Sequence, residues 1–273
     1  MANVQVRQFA DGETLTRVVD NVNGKHIYIV QPTSPPVNDH LMELVLFISA
    51  CKRAGAASVT CLIPYYGYAR QDRKFQSQNV PISGADVGQI LEFMGADRLV
   101  SVDLHVSQAQ GYVSTRTPFD NLEGAFAGLD FFLKEIPNKA DIVVVSPDAG
   151  GLGRAKAFHK HFAFWGHSGV GLAMLNKERK EANKIEKMEL VGDVRGKTCI
   201  LVDDMIDTAG TLCEAARVLK ENGASKVYAF ASHGLFSGPA AERIRDSQLE
   251  MVVTTDSIPV SKKFQETVGD KYR

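Results

Sequence analysis

The stretch CILVDDMIDTAGT, residues 199–211, decides the fold of this chain. Its apolar run is typical of a strand covered on both faces, and it ends in the two carboxylates of Asp203 and Asp204. Asp207 follows, and small residues up to Thr211 then open a helical pattern. Small residues let the backbone approach a phosphate, and a helix N-terminus offers free N–H groups and a positive dipole end. The pattern predicts a single element that holds a sugar by its hydroxyls and its phosphate. An acidic turn with an ordinary helix cap is the plainer alternative.

Apolar, β-branched runs recur along the whole chain and predict further strands. They cover residues 26–31, 58–65, 98–105, 141–148, 169–175, 198–205, 226–233 and 250–256. Helical spacing of apolar residues fills the gaps between them, with the helices expected to stop at Gly55 and Gly223. Because strands and helices alternate, we predict an α/β fold with parallel sheets and right-handed crossovers.

The rhythm of strand and helix breaks near residues 116–124, where we place a domain boundary. The two expected domains are residues 1–120 and 121–273, each an α/β unit of similar architecture. In open α/β sheets, ligands bind beyond the carboxyl ends of the strands. Those ends carry charged and small residues here, in VDLH (102–105), SPDAGG (146–151) and VDDMIDTAGT (202–211).

The overall charge gives no global electrostatic field that would attract polyanions, so any polyanion site must be local. The 273 residues have a formal net charge of −1, so we expect no nucleic-acid partner and no membrane surface. The four cysteines form no C-x-x-C pair and are expected to be reduced thiols. No apolar stretch approaches the roughly 20 residues of a membrane span, and the start lacks a signal-peptide layout. The expected location is the cytoplasm.

One segment, NKERKEANKIEKME (176–189), is dense in charge and nearly free of apolar residues. It predicts either a solvated helix or loop, or a mobile flap that closes over an anionic substrate. Its residues cannot bury enough apolar surface to offset the entropy of ordering, which favours mobility without substrates.

Six motifs, in order along the chain, resemble the ribose-phosphate pyrophosphokinase family. They are RQFADGE (7–13), PYYGYARQDRK (64–74), VDLHVSQAQGY (102–112), VVVSPDAGG (143–151), CILVDDMIDTAGT (199–211) and SHGLFSG (232–238). The stretch 199–211 alone is shared with type I phosphoribosyltransferases. The resemblance implies two phosphoribosyltransferase-like domains, each a mainly parallel sheet flanked by helices. The first would carry the ATP side and the subunit contacts, and the second the ribose 5-phosphate loop and a catalytic flap.

The resemblance also implies a role for individual residues. Ribose 5-phosphate would be bound by Asp203, Asp204, Asp207, Thr208, Ala209, Gly210 and Thr211, the first two at the ribose hydroxyls. ATP would be bound by Phe9, Asp11, Glu13, Arg70, Gln71 and His105. Magnesium would be held with ATP by His105 and Asp148, although a lone histidine after an apolar strand is more often structural. Lys177 and Arg179 would be the catalytic pair on the flap.

The implied reaction moves the β,γ-diphosphoryl group of ATP to the C1 hydroxyl of ribose 5-phosphate, and AMP leaves. Mg²⁺ is the implied cofactor, and ATP and ribose 5-phosphate are the implied partners. Because Phe9 would complete a neighbour's adenine site, the resemblance implies self-association, as a dimer or a hexamer of dimers. A non-catalytic regulatory partner of the enzyme and a phosphoribosyltransferase are the alternatives.

The chain departs from the family pattern in three places. It lacks the strand and helix that usually precede RQFADGE and the further strand and helix that usually follow the DSIP stretch (256–259), so it is expected to be shortened at both termini. NKER stands at the flap where many members have DKRR. At the regulatory phosphate site, Asn23 and Asn79 replace two arginines, whereas Gln110, Asp120 and Asn121 match. Regulation by phosphate and ADP is therefore left open.

Overall fold

The computed structural model describes residues 2–74, 79–178 and 187–273. The chain forms two compact units, Met1–Glu123 and Gly124–Arg273. The boundary placed after residue 120 falls inside a strand of the first unit, Phe119–Leu122, so the division comes a few residues later. Both units are α/β with parallel sheets, which confirms the predicted fold class.

The first unit contains a hairpin and a four-stranded sheet. Strands β1 (Val4–Gln8) and β2 (Thr14–Val18) form the antiparallel hairpin. Strands β3 (His26–Val30), β4 (Ser58–Ile63), β5 (Arg98–Val102) and β6 (Phe119–Leu122) form the sheet, parallel throughout and in the order β3-β4-β5-β6. Helices α1 (Val37–Arg53) and α2 (Ser83–Phe93) and a short 3₁₀ helix (Ser107–Gly111) complete the unit.

Both helices of the first unit pack into a single apolar core on one face of the sheet. Leu44 and Ile48 of α1 and Leu91 of α2 are fully buried there, against alternate residues of β4 and β5. On the opposite face, Tyr28 and Val30 of β3 are 68% and 63% exposed. Among the described residues of this unit, the helices therefore cover one face of the sheet.

The second unit is built on a six-stranded sheet. Its strands are β7 (Ile142–Ser146), β8 (Gly171–Glu178), β9 (Lys187–Val191), β10 (Thr198–Ile206), β11 (Lys226–Gly234) and β12 (Met251–Thr254), in the order β12-β11-β10-β7-β8-β9. Only β9 runs antiparallel to its neighbour in this described sheet. Its helices are α3 (Ala125–Glu135), α4 (Leu152–Phe164), α5 (Gly210–Glu221), α6 (Ala240–Asp246) and α7 (Lys262–Val268).

Helices cover both faces of this sheet, so its central strands are apolar along their whole length. Every residue of β7 is buried. Helices α3 and α4 bury a phenylalanine-rich core on one face, and α5, α6 and α7 bury an aliphatic core on the other. Two short 3₁₀ helices, Lys139–Asp141 and Gly269–Lys271, complete the unit.

All eight apolar runs form strands, and both predicted helix stops are confirmed. Gly55 and Gly223 follow α1 and α5 with φ values of +79° and +88°, a conformation that glycine adopts without a Cβ penalty. Four strands were not predicted. The hairpin of β1 and β2 is largely exposed, and β6 is short and polar, so neither shows a continuous apolar run.

The fourth missed strand, β9, corrects the prediction for the charged segment. Its ends are strands rather than a solvated helix or loop, because Asn176, Lys177 and Glu178 of β8 pair with Glu189, Met188 and Lys187 of β9. The predicted mobility covers residues 176–187, and residues 179–186 of that range lie outside the described ranges. None of the described helices is long and apolar enough to cross a bilayer.

The contact between α3 and β11 leaves no room for a side chain at Gly128. A Cβ there would lie 2.5–2.8 Å from ring atoms of Phe230, which is itself 2% exposed. We expect Gly128→Ala to lower the free energy of unfolding by about 1–3 kcal/mol, the usual cost of overpacking a core. Urea unfolding followed by circular dichroism measures this change.

Gly153→Ala is the matched control, because nothing lies within 4 Å of a Cβ at that helical position. It should leave stability unchanged or raise it by up to about 1 kcal/mol. Equal destabilisation by both substitutions would contradict the packing argument.

Candidate functional site

The candidate site lies at the carboxyl end of β10, a central strand of the second unit. β10 pairs in parallel with β7 and β11, so the carboxyl ends of all three strands meet at one edge of the sheet. Asp203 and Asp204 lie near the end of β10, and residues 207–209 connect it to Gly210, the first residue of α5. The structure thus brings the seven predicted sugar-phosphate residues into one strand, loop and helix start.

Arg154 of α4 lies between the two adjacent carboxylates. Its Nη1 is 3.2 Å from Asp203 Oδ1 and 3.4 Å from Asp204 Oδ1. The Asp204 side chain is 4% exposed and that of Asp203 is 32% exposed. Burial, followed by the negative charge of Asp204, raises the pKa of Asp203 from 3.8 to about 8. Asp203 is therefore the carboxylate that a ligand can reach, and Asp204 is held inside against Arg154.

Sequence reasoning missed Arg154. A signal was nevertheless present, because residues 149–177 contain no acidic residue and Arg154 is the only arginine among them. It follows SPDAGG by a few residues, on the helix that leaves the strand next to β10. A cation at that place is what two neighbouring carboxylates need.

The loop of residues 207–211 is built around a left-handed residue. Ala209 has φ 58° and ψ 5°, a conformation that costs a non-glycine residue roughly 1–2 kcal/mol. It lies directly before α5, where the first N–H groups of a helix have no partner within the helix. Thr208 is exposed, and Asp207, Gly210 and Thr211 are half-buried. Such a turn directs successive N–H groups toward one point and suits an anion.

A second layer of backbone supports this loop from below. The N–H groups of Leu235 and Phe236 donate to Ile206 O at 2.9 and 3.1 Å, and Ser237 N donates to Asp207 O at 3.0 Å. Phe236 is itself left-handed, with φ 50°, and its ring stacks on Phe264 of α7 at 3.9 Å. The loop therefore rests on a segment that is anchored in the aliphatic core.

Arg243 of α6 contacts the rear of the loop. Its Nη1 donates to Thr208 O at 3.0 Å, and a Cβ on Gly210 would lie 3.2 Å from the same nitrogen. Arg243 also lines an open groove of about 480 Å³ between α5 and α6. Sequence reasoning missed this residue too, because no local pattern links residues 208 and 243.

Asp148 lies at the end of β7, beside the loop that follows β10. Its Oδ1 accepts a hydrogen bond from Gly151 N at 2.9 Å, and Ser146 Oγ donates to Asp148 O at 2.7 Å. The turn is tightly packed at Gly150 and Gly151, since Cβ atoms there would lie 3.3 Å from Asp148 Oδ1 and 3.0 Å from Ser146 Oγ. The turn begins α4, the helix that carries Arg154.

The donor atoms fit the expected magnesium in part. Mg²⁺ prefers oxygen ligands, keeps several waters and takes few ligands from the protein. The carboxylate of Asp148 suits such an ion. The imidazole nitrogen of His105 suits it poorly, because nitrogen ligands favour softer metals. No group of three metal-binding side chains occurs in residues 2–74, 79–178 and 187–273.

The predicted ATP residues all lie in the first unit, in two exposed turns and one half-buried strand end. Phe9, Asp11 and Glu13 form the tip of the β1–β2 hairpin, where Phe9 N donates to Glu13 O at 2.8 Å. The Phe9 ring is 46% exposed, and the Arg7 guanidinium lies 5.5 Å from its centre. This tip presents an aromatic ring and two carboxylates to solvent.

Arg70 and Gln71 are exposed in the turn after β4. Gln71 is held by hydrogen bonds to the first two residues of α2. Ser83 Oγ donates to Gln71 Oε1 at 2.6 Å, and Gly84 N donates to the backbone oxygen of Gln71. His105, at the end of β5, is half-buried.

Two matched residues of the regulatory site have structural partners in the same unit. Asp120 pairs with Arg98 at 2.6 Å, and Asn121 Oδ1 accepts from Leu104 N at 2.9 Å. These contacts fix β6 and the start of the VDLH turn.

The predicted catalytic pair is described only in part. Lys177 lies on β8 and its backbone pairs with Met188, whereas Arg179 lies outside the described residues.

The fold and the loop together define a class. A parallel sheet with paired carboxylates and a small-residue loop before a helix, all at its carboxyl edge, is the phosphoribosyltransferase-like arrangement of α/β proteins. Comparisons with known proteins narrow that class.

Residues 1–95 match the model of the N-terminal domain of ribose phosphate pyrophosphokinase, and residues 167–271 match the phosphoribosyl synthetase-associated domain. Ribose-phosphate pyrophosphokinase of Vibrio cholerae is 45% identical over 267 residues, which are 98% of this chain and 82% of that protein. The same enzyme of Synechococcus elongatus is 46% identical over 258 residues, 94% of this chain and 75% of that protein.

The crystal structure of phosphoribosylpyrophosphate synthetase from Mycobacterium smegmatis superposes with a TM-score of 0.88 at 36% identity, covering 100% of this chain and 85% of that one. The chain belongs to the ribose-phosphate pyrophosphokinase family.

The environment of Asp203 predicts a pH-dependent stability. Folding raises the pKa of the Asp203 carboxyl above 3.8. The stability that this group contributes in its protonated form is therefore fully present below pH 3.8, and it is lost as pH rises through about 8. Asp203→Asn, which stays neutral, should therefore gain stability relative to the wild type as pH rises from 4 to 8. Urea unfolding at several pH values measures the difference.

Asp193→Asn is the control, because Asp193 is exposed and lies before β10, at the opposite edge of the sheet. A difference between Asp203→Asn and the wild type that stays constant with pH would contradict the raised pKa of Asp203.

Proposed function

We propose that the protein is a ribose-phosphate diphosphokinase. It transfers the β,γ-diphosphoryl group of ATP to the C1 hydroxyl of ribose 5-phosphate, giving 5-phosphoribosyl 1-diphosphate and AMP. The observation that carries the proposal is the intact loop of residues 203–211, in a chain 45% identical to a named ribose-phosphate pyrophosphokinase over 98% of its length. No observation favours the non-catalytic regulatory partner, and a phosphoribosyltransferase would not need the first unit.

Ribose 5-phosphate binds at the end of β10 in this proposal. The phosphate lies over residues 207–211, where the N–H groups at the start of α5 and the hydroxyls of Thr208 and Thr211 donate to its oxygens. Asp203 accepts from a ribose hydroxyl. Asp204 is 3% exposed, so burial favours Asp203 over Asp204 as the direct sugar ligand.

ATP binds to residues of the first unit. The exposed Arg70 offers a planar guanidinium that can stack on adenine, beside the fixed amide of Gln71. Phe9 at the hairpin tip, with Asp11 and Glu13, completes the adenine site of a neighbouring subunit, so the active protein is a dimer or a hexamer of dimers. His105 lies at the phosphate side of ATP.

The chemistry needs positioning and charge stabilisation rather than a covalent intermediate. The C1 hydroxyl oxygen attacks the β-phosphorus in line, the bond from that phosphorus to the α-phosphate oxygen breaks, and the hydroxyl proton is released. Lys177 and Arg179 stabilise the charge on the phosphate oxygens and exclude water. Asp148 would hold Mg²⁺ with ATP, His105 is the other residue that the resemblance implies for this role, and the ion would supply positive charge to the polyphosphate. The protein acts in the cytoplasm.

A coupled assay tests the function and the loop together. AMP should appear from ATP only when ribose 5-phosphate is present. Asp207→Ala and Thr211→Ala should raise the KM for ribose 5-phosphate far more than the KM for ATP, because each residue contacts only the sugar phosphate. Asp193→Ala, at the opposite edge of the sheet, is the control and should change neither constant. Equal increases in the two KM values would contradict the assignment of the loop to ribose 5-phosphate.

The roles of Lys177 and Arg179 give a separate prediction. If their charges act mainly in the transition state, Lys177→Ala or Arg179→Ala should lower kcat about a hundredfold, equivalent to about 3 kcal/mol. The KM for ATP should change little. Lys160→Ala, which removes an exposed lysine of α4, serves as the control for loss of positive charge. Near-normal kcat in the double variant would show that the segment is only a solvated connection.

A further inference from the structure

The peptide between Thr208 and Ala209 has a fixed direction. Its carbonyl oxygen accepts from Arg243 Nη1 at 3.0 Å, on the α6 side of the loop. In a planar trans peptide the C=O and N–H groups point in opposite directions. The N–H of Ala209 therefore points away from α6, toward the open side of the loop, and no described residue accepts a hydrogen bond from it.

The orientation of this peptide places Ala209 in a backbone conformation that alanine rarely adopts. Ala209 has a positive φ of 58°, and a rotation of the preceding peptide would relieve the conformation at a cost of one hydrogen bond. Such a rotation would turn the Thr208 carbonyl toward the bound phosphate, where its negative end would repel an anion. The bond to a charged guanidinium, stronger than a neutral one, opposes the rotation.

Arg243 is well placed to hold this peptide because its own helix is fixed. Ala240 and Ile244 of α6 are fully buried in the core that also contains α5. Lys271 Nζ donates to the backbone oxygens of Arg245 and Ser247 at 3.0 and 2.8 Å, which ties down the end of α6.

Gly210 gives the guanidinium its path to the loop. A Cβ at this position would lie 3.2 Å from Arg243 Nη1 and 3.8 Å from its Cζ. The small residue after Ala209 thus serves the rear of the loop as well as the approach of a phosphate at the front.

We infer that Arg243 is a positioning residue for the sugar-phosphate site: it orients the Thr208–Ala209 peptide so that the Ala209 N–H faces the phosphate of ribose 5-phosphate. The inference rests on the proposed function for the identity of that ligand. The geometry of the loop does not depend on the proposed function, because the loop has this conformation without the ligand.

Steady-state kinetics provide the first arm of the test. Arg243→Gln should raise the KM for ribose 5-phosphate about tenfold, while kcat and the KM for ATP stay within about twofold of the wild type. Arg243→Lys, which retains a charged donor, should recover part of the loss. Arg245→Gln is the matched control, since Arg245 lies on the same helix and pairs with Asp246 rather than with the loop. If Asp207→Ala raises the KM for ribose 5-phosphate and Arg243→Gln leaves this KM unchanged, the inference is wrong.

Amide hydrogen exchange of the substrate-free protein provides the second arm, which holds whether or not the protein makes 5-phosphoribosyl 1-diphosphate. Arg243→Gln should speed exchange in peptides that cover residues 207–213 and leave α6 and β10 unchanged. Faster exchange throughout α6 would indicate a merely structural role and would also overturn the inference. If Arg243→Gln does not fold, Arg243→Lys carries both measurements, with smaller changes in the same direction. Loss of AMP formation in the wild type would reject the proposed function alone, and the exchange result would still decide the role of Arg243.

Discussion

Two carboxylates at the end of a buried strand stay close together only when a cation lies beside them. Arg154 supplies that cation, with its Nη1 within 3.4 Å of an oxygen of both Asp203 and Asp204. Its positive charge lowers the pKa of Asp203 and so partly offsets the rise that burial and the charge of Asp204 cause. Because Arg154 comes from α4 and the aspartates end β10, this ion pair also joins two strand–loop–helix segments. The Asp148 turn and the loop of residues 207–211 are held at the same edge of the sheet as a result.

The loop itself works mainly through the direction of its backbone. Its carbonyl groups are bound from behind, those of Ile206 and Asp207 by the segment after β11 and that of Thr208 by α6. Its N–H groups are thereby left for the opposite side, at the start of α5. An anion site built in this way needs small side chains at the front and a rigid layer behind. The side chains identified by the motif form only the front.

The sequence predicted the parts of this arrangement that local pattern encodes. Continuous apolar runs identified every covered strand, and the small residues before α5 identified the loop. Exposed or polar strands such as β1 and β6 have no such run, because their stability comes from one neighbour rather than from burial on both faces. Arg154 and Arg243 escaped notice because each acts on a partner 49 or 35 residues away along the chain. The roles assigned to Phe9, Arg70 and Lys177 depend on how separate parts come together, which no local pattern contains.

The exposed face of the four-stranded sheet in the first unit matters for handling the protein. β3 is an edge strand of its sheet, and Tyr28 and Val30 on it are more than half exposed. An edge strand offers unpaired backbone groups to any extended chain, and an aromatic and a β-branched side chain beside it favour such pairing. β3 is therefore a place where a second chain can add a strand and start aggregation. Lysine at position 28 or 30 would protect the protein, because a charged edge resists the addition of a further strand.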